Sequence, residues 1–147
     1  MKRDNRFYSF YCPRRKKEKK QLSRVILNEN KIIIGVITLK EIDLKKRTSH
    51  IGTWIGYPYR GKGYNQLAKE KMLYKAFTEL DLEYVFAGAK ISNIRSQKAQ
   101  ERIPYITIDV KREFPEEQRK LESQVQEACV LNVIEKNIFL DWYNNSN

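Results

Sequence analysis

Pro58, Gly61 and Gly63 fall within six residues, and the strongest helical pattern of the chain begins directly behind them, at Tyr64. From there Leu67, Ala68, Met72, Leu73, Ala76, Phe77 and Leu80 recur at steps of three and four, with Lys69, Glu70, Lys75 and Glu79 on the remaining face. Ahead of the loop, residues 48–57 have strand character. A strand that passes through a glycine-rich loop straight into a long helix is the tightest constraint in this sequence. Its glycines permit backbone geometries closed to other residues, and the helix start adds N–H groups with no partner inside the helix.

The other segments arrange themselves around that junction. Val25-Ile26-Leu27 and the β-branched run of residues 32–39, separated by the turn Asn28-Glu29-Asn30-Lys31, read as a hairpin. With residues 48–57 they predict a three-stranded antiparallel meander starting at Arg24. Residues 1–23, with Phe7, Tyr8, Phe10 and Tyr11 close together, read as a short packed segment leading into a polar helix or loop. Downstream, residues 84–89 are apolar at consecutive positions, as in a strand covered on both faces. Asn93 caps a helix running to about Arg102, which Pro104 stops. Residues 105–110 read as a strand, 116–128 as a polar helix opened by Pro115, 129–134 as the last strand, and Phe139, Leu140 and Trp142 mark an amphipathic tail. The order predicts one mixed α+β domain over residues 1–147 with a largely antiparallel sheet.

Composition narrows the function. A chain of 147 residues suits one domain and needs neither disulfide nor metal staple. Its longest apolar run, residues 32–37, is far short of the roughly 20 residues of a membrane helix. No apolar segment of signal-peptide length follows the charged start, so a cytoplasmic protein without a membrane partner is expected. Cys12 and Cys129 have no second Cys or His nearby, and the chain holds one His, so no metal site is expected. Against 18 acidic residues stand 29 Lys and Arg, a net charge of +11 that attracts polyanions. Much of it lies in Arg14-Arg15-Lys16-Lys17-Glu18-Lys19-Lys20, a solvated stretch or a contact for an acidic or ribosomal partner.

The loop Gly56-Tyr57-Pro58-Tyr59-Arg60-Gly61-Lys62-Gly63-Tyr64-Asn65 has the physical character of a pyrophosphate cradle. Gly56, Gly61 and Lys62 fit a nucleotide-triphosphate loop, but Gly63 stands where a Ser or Thr must hold magnesium. A dinucleotide fingerprint fails at Gln66, where the third glycine belongs. An acyl-coenzyme-A site and an ordinary glycine-rich turn remain.

The segment Ile51-Gly52-Thr53-Trp54-Ile55-Gly56, continued by that loop through Asn65, resembles the acetyl-CoA-binding motif of the GNAT acetyltransferase superfamily. The form is that of the branch containing the ribosomal-protein N-terminal acetyltransferases. Arg60 and Gly63 match the core R/Q-x-x-G-x-G/A, while Asn65 replaces the final small residue. Asn93-Ile94-Arg95-Ser96-Gln97-Lys98-Ala99 resembles the N-x-x-S segment opening the family's next helix. Together the two cover roughly residues 24–103.

The resemblance implies a GNAT-like, mostly antiparallel twisted sheet flanked by helices, with an acetyl-CoA core over residues 24–103. A shortened basic and aromatic N-terminal segment (1–23) would precede it, and a strand–helix–strand part (104–147) would follow. It implies acetyl-CoA as co-substrate and direct attack on its thioester by a primary amine, from a protein N-terminus or a small molecule. Backbone groups of Ile55 and Tyr57 would pair with the pantetheine arm, and Arg60, Gly61, Lys62, Gly63, Tyr64 and Asn65 would wrap the pyrophosphate. Asn93 would contact the cofactor near its reactive end. His50, where many members of this branch carry Glu, is the candidate base. Ser96 is the candidate proton source for the leaving thiolate, because Gln100 stands where many members have Tyr. A homodimer is among the expectations. The competing reading is a non-catalytic, truncated acetyltransferase-like domain that binds CoA, RNA or the ribosome.

Overall fold

In the computed structural model, residues 20–146 are described in full and residues 7–11 by their backbone. Among the described residues seven strands form one sheet: β1 (Phe7–Tyr11), β2 (Lys20–Leu27), β3 (Ile33–Asp43), β4 (Thr48–Ile55), β5 (Tyr84–Lys90), β6 (Ile106–Thr107) and β7 (Cys129–Glu135). Their spatial order is β1-β2-β3-β4-β5-β7-β6. Every neighbouring pair is antiparallel except β4 with β5. The helices are α1 (Tyr64–Thr78), α2 (Ile94–Glu101), α3 (Pro115–Val125) and α4 (Lys136–Ser146). This is the mixed, mostly antiparallel sheet flanked by helices that the sequence predicts.

Strand alternation sorts the core into two faces. Val85 and Ala87 of β5 join Ile51 and Ile55 of β4, Ala68, Met72 and Leu73 of α1, and Phe139 of α4 in the main cluster. Phe86 points the other way, to Val110, Leu131 and Val133, backed by Phe114 and by Leu121 of α3. Thus α1 and α4 cover one face while α3 covers the other over β5 and β7. Gly88 permits the close approach of α3, since a Cβ there would lie 2.5 Å from Leu121 Cδ2. Pro115 and the acidic Glu116 and Glu117 suit the first turn of α3, and Gln126 closes it in the left-handed region at φ 58°.

The parallel pair is short. Thr48, Ser49 and His50 sit opposite Tyr84, Val85 and Phe86, and the ladder stops there. Yet β4 stays paired with β3 as far as Ile55, and β5 with β7 as far as Lys90. The strands therefore part while each is held on its outer side, and a wedge opens inside the sheet toward their C-terminal ends. Beyond Phe86, the carbonyls of Gly88 and Lys90 accept from α2 side chains, Gln100 Nε2 at 3.2 Å and Gln97 Nε2 at 3.1 Å.

Several sequence expectations need correction. Residues 7–11, read as part of a packed segment leading into a helix or loop, form the edge strand β1, paired with β2 from Phe7 opposite Ile26 to Tyr11 opposite Leu22. The meander thus has four strands, and its second begins at Lys20 rather than Val25. Strand β4 ends at Ile55, because Pro58 draws residues 57–59 into a 3-10 turn. The strand expected over 105–110 keeps Ile106 and Thr107 alone in the ladder; Asp109 turns the chain at φ 54°. Lys69, placed on the outer face of the helix, is buried, because residues 65, 69, 72 and 76 form the row facing the sheet; burial lowers its pKa. Cys12 and the basic residues 14–19 lie outside the described residues, and the acidic or ribosomal contact expected there lies with them. No described helix is long and apolar enough to cross a membrane.

Gly35 of β3 faces the end of β4, where a Cβ would run into the Trp54 carbonyl oxygen. Gly35→Ala forces the backbones apart and should cost about 1–3 kcal/mol, read as a lowered urea midpoint with unchanged slope.

Candidate active site

The chain leaves β4 through the 3-10 turn of Tyr57–Tyr59 and reaches α1 through Gly61 at φ 76° and Gly63 at φ 86°. Both angles favour glycine, and a Cβ at either position would meet nothing within 4 Å, so the space before the loop is clear. Gly63 is the N-cap of α1, its carbonyl accepting from the Leu67 amide at 3.1 Å. No described side chain caps the helix, and its first turn carries no acidic residue. The first-turn donors and the positive end of the helix dipole therefore face that open space. Lys62 stands exposed beside them.

Arg60 is fixed rather than free. Its Nε donates to the Ile55 carbonyl at 3.1 Å, and its guanidinium lies 5.6 Å from the centroid of the exposed Tyr57 ring. The Tyr64 hydroxyl donates to Glu29 Oε1 at 2.6 Å, tying the helix start to the turn between β2 and β3. Two buried polar atoms along this path have no hydrogen-bond partner among the described residues: Thr53 Oγ1, on the stretch of β4 beyond the parting, and Asn65 Oδ1, in the first turn of α1. Buried groups of this kind are normally satisfied. The uncapped first-turn donors of α1 suit a ligand that carries phosphate at the loop.

Across the wedge, at the end of β5, Asn93 caps α2. Its amide donates to the Lys90 carbonyl at 2.9 Å, and its Oδ1 accepts from the Ser96 amide at 3.1 Å. Ser96 thus sits in the first turn of α2 beside the cap, its backbone N–H already used. Gln100 is buried, its Oε1 accepting from Asn132 Nδ2 at 2.6 Å while Nε2 holds the Gly88 carbonyl. The position where the resemblance implies an acid is a bridge between β5 and β7.

His50 is the last residue of β4 paired with β5, at the vertex of the wedge. Its ring turns to the α3 face, 5.2 Å from the Phe86 centroid, and Nε2 bonds Glu117 Oε1 at 2.7 Å. Both residues are 8% exposed. Hydrogen bonding to His50, then the charges of His50 and Lys120, hold the Glu117 carboxyl below its usual range against the opposing effect of burial. Sequence reasoning missed Glu117, since its one local signal was an acid after Pro115, which a helix start alone explains. The structure thus gathers Ile55, Tyr57 and residues 60–65 on one lip of the wedge, Asn93 and Ser96 on the other, and His50 at its base. Near these, β4 borders a cavity of about 360 Å³ that includes Thr38, Lys40, Gly52 and Trp54.

Residues 3–105 match the family described as the acetyltransferase (GNAT) domain. A curated relative, "Putative ribosomal N-acetyltransferase YdaF" of Bacillus subtilis (strain 168), is 35% identical over 74 residues. That match covers 50% of this chain and 40% of the relative's length. Among solved structures, a mutant form of the spermidine N-acetyltransferase SpeG from Vibrio cholerae superposes with a TM-score of 0.64 at 18% identity, covering 86% of this chain and 70% of that one. The Vibrio cholerae spermidine N-acetyltransferase in complex with CoA and spermine gives 0.62 at 16% identity, over 82% of this chain and 68% of that one. At such identities the structural likeness speaks for the fold, which agrees with the sequence match over most of the chain. The chain belongs to the GNAT acetyltransferase family.

Proposed function

We propose that the protein transfers an acetyl group from acetyl-CoA to a primary amine. The observation that carries this reading is the wedge between parallel strands β4 and β5, which leads to an uncapped helix N-terminus preceded by two positive-φ glycines. The pyrophosphate is held by backbone N–H groups from Gly61 to Asn65, with charge from Arg60 and Lys62. Backbone groups of Ile55 and Tyr57 serve the pantetheine arm, with the Arg60 bond to the Ile55 carbonyl giving way or turning the guanidinium toward phosphate. Asn93 serves the reactive end.

Acetyl-CoA supplies the thioester carbonyl that an amine attacks. For that attack the amine must be neutral, the developing oxyanion must meet a donor, and the departing thiolate must find a proton. In this reading His50 takes the amine's proton, a backbone N–H near Ile55 faces the oxyanion, and the Ser96 hydroxyl, the nearest that maps onto a position of the family, supplies the thiolate's proton. The acceptor is a primary amine; a protein N-terminus is favoured over a polyamine, since a chain of net charge +11 repels a polycation.

Calorimetric titration with acetyl-CoA should give saturable heat, and none at millimolar cofactor would overturn the proposal. Gly63→Val fills the open space before the loop. It should weaken acetyl-CoA by about tenfold or more, since one lost hydrogen bond to a charged group is worth ~1.5–3 kcal/mol. Its far-UV circular dichroism should be retained; undiminished affinity would remove the loop as the phosphate site. Thiol release against a panel of amines should be faster with peptide N-termini than with polyamines. Binding without release from any amine would leave a cofactor-binding domain without turnover.

A further inference from the structure

His50 and Glu117 lie 67 residues apart in sequence and meet at 2.7 Å across the α3 face of the sheet. A carboxylate only accepts hydrogen bonds, so Nε2 carries the hydrogen, and in the neutral ring Nδ1 is then the basic nitrogen. Phe86 lies against the ring, and both partners are buried, so the pair is held in one geometry at the point where β4 and β5 part. Glu117 also lines a cavity of about 350 Å³, with Lys46, Thr48, Tyr84, Phe114 and Glu116 among its other walls.

We propose that Glu117 is a positioning residue for proton transfer: holding Nε2–H, it leaves Nδ1 of His50 as the base for the acceptor amine and steadies the positive charge the ring acquires. The inference rests on the reading of His50 as the base. One proton moves: an N–H bond of the acceptor breaks, an N–H bond at Nδ1 forms, and no further reactant is needed. Glu117 remains ionised, and the proton stays on the ring at Nδ1 until it is given up to solvent. The titratable groups around the ring are few. Glu117 and Lys120 come from α3, with Lys120 Nζ 3.5 Å from the same Glu117 oxygen. Tyr84 comes from β5 on the Phe86 side, and Lys40 of β3 stands opposite His50 in the ladder.

His50 is the single histidine of the chain, so its imidazole resonances need no assignment. In the full chain, nitrogen-15 spectra at neutral pH should show the Nε2–H tautomer. In Glu117→Gln the Nε2–H tautomer should lose its preference, because a neutral amide can either donate or accept at that nitrogen. The pH dependence of kcat/KM should change as well. The kcat should drop about tenfold or more, within the roughly 10²–10⁴-fold a general base supplies, while KM for acetyl-CoA stays unchanged. Glu117→Asp, which keeps the charge, should recover part of kcat and of the original pH dependence.

Mixed tautomers in the unaltered protein, or an unchanged kcat and pH profile in folded Glu117→Gln, would overturn the proposal. If His50→Ala loses activity while Glu117→Gln does not, the base stands and the positioning role alone falls. If His50→Ala keeps its pH–rate profile, base and positioning role fall together. The pair's structural share reads out elsewhere. Glu117's pKa is lowered from 4.5, so its stabilising contribution is complete above that pH and is lost as pH falls through the lower folded value, outside the neutral range of the kinetic test.

Discussion

Backbone N–H and C=O groups inside a sheet must find partners, and the parting of β4 from β5 after three residue pairs leaves a line of them in need. Everything that makes this protein a candidate enzyme depends on that demand. On β5 it is met from α2, by Gln100 and Gln97 on the carbonyls of Gly88 and Lys90. On β4, Arg60 turns back onto the Ile55 carbonyl. What remains, the first-turn donors of α1, lies at the start of the helix that follows β4. The wedge is flanked on both outer sides by paired strands, β3 and β7.

The two faces of the sheet divide the labour. Against α1 and α4 lies the main core, with Met72, Leu73, Phe77 and Phe139 almost wholly buried, and it fixes the helix whose N-terminus is proposed to meet the phosphate. Against α3 lies the smaller cluster around Phe86, which carries the histidine and its carboxylate. Charge follows the same division. Arg60 and Lys62 stand at the helix start, where an anion belongs, while Glu113, Glu116 and Glu117 share the walls of the α3-face cavity with Lys46.

Local features were legible in the sequence because their causes are local. The start of α1 at Tyr64, the Asn93 cap and the helix opened by Pro115 each follow from a few neighbouring residues. The family resemblance lay in two contiguous stretches for the same reason. What stayed hidden needed distant partners. The edge strand β1 reads as a loose aromatic segment until β2 is beside it. Glu117 is an ordinary helix-start acid until α3 folds over His50. Gln100 looks like a missing hydroxyl, and only the sheet reveals it as the bridge from Gly88 to Asn132. Lys69 breaks the apolar stripe of α1 and was assigned to solvent, although the row beginning at Asn65 carries it under the helix.

The wedge also makes the fold itself a reporter of its ligand. The sheet's own side chains meet part of the demand along the parting, and a molecule lying there would compete for or add to those bonds. Whatever binds the folded form alone adds to its stability, by ~2.7 kcal/mol at a hundred times its dissociation constant. For a domain whose whole margin over the unfolded chain is about 5–15 kcal/mol, that is a substantial share. If acetyl-CoA fills the wedge as proposed, the amount of folded protein is coupled to its supply, through folding alone and independently of turnover.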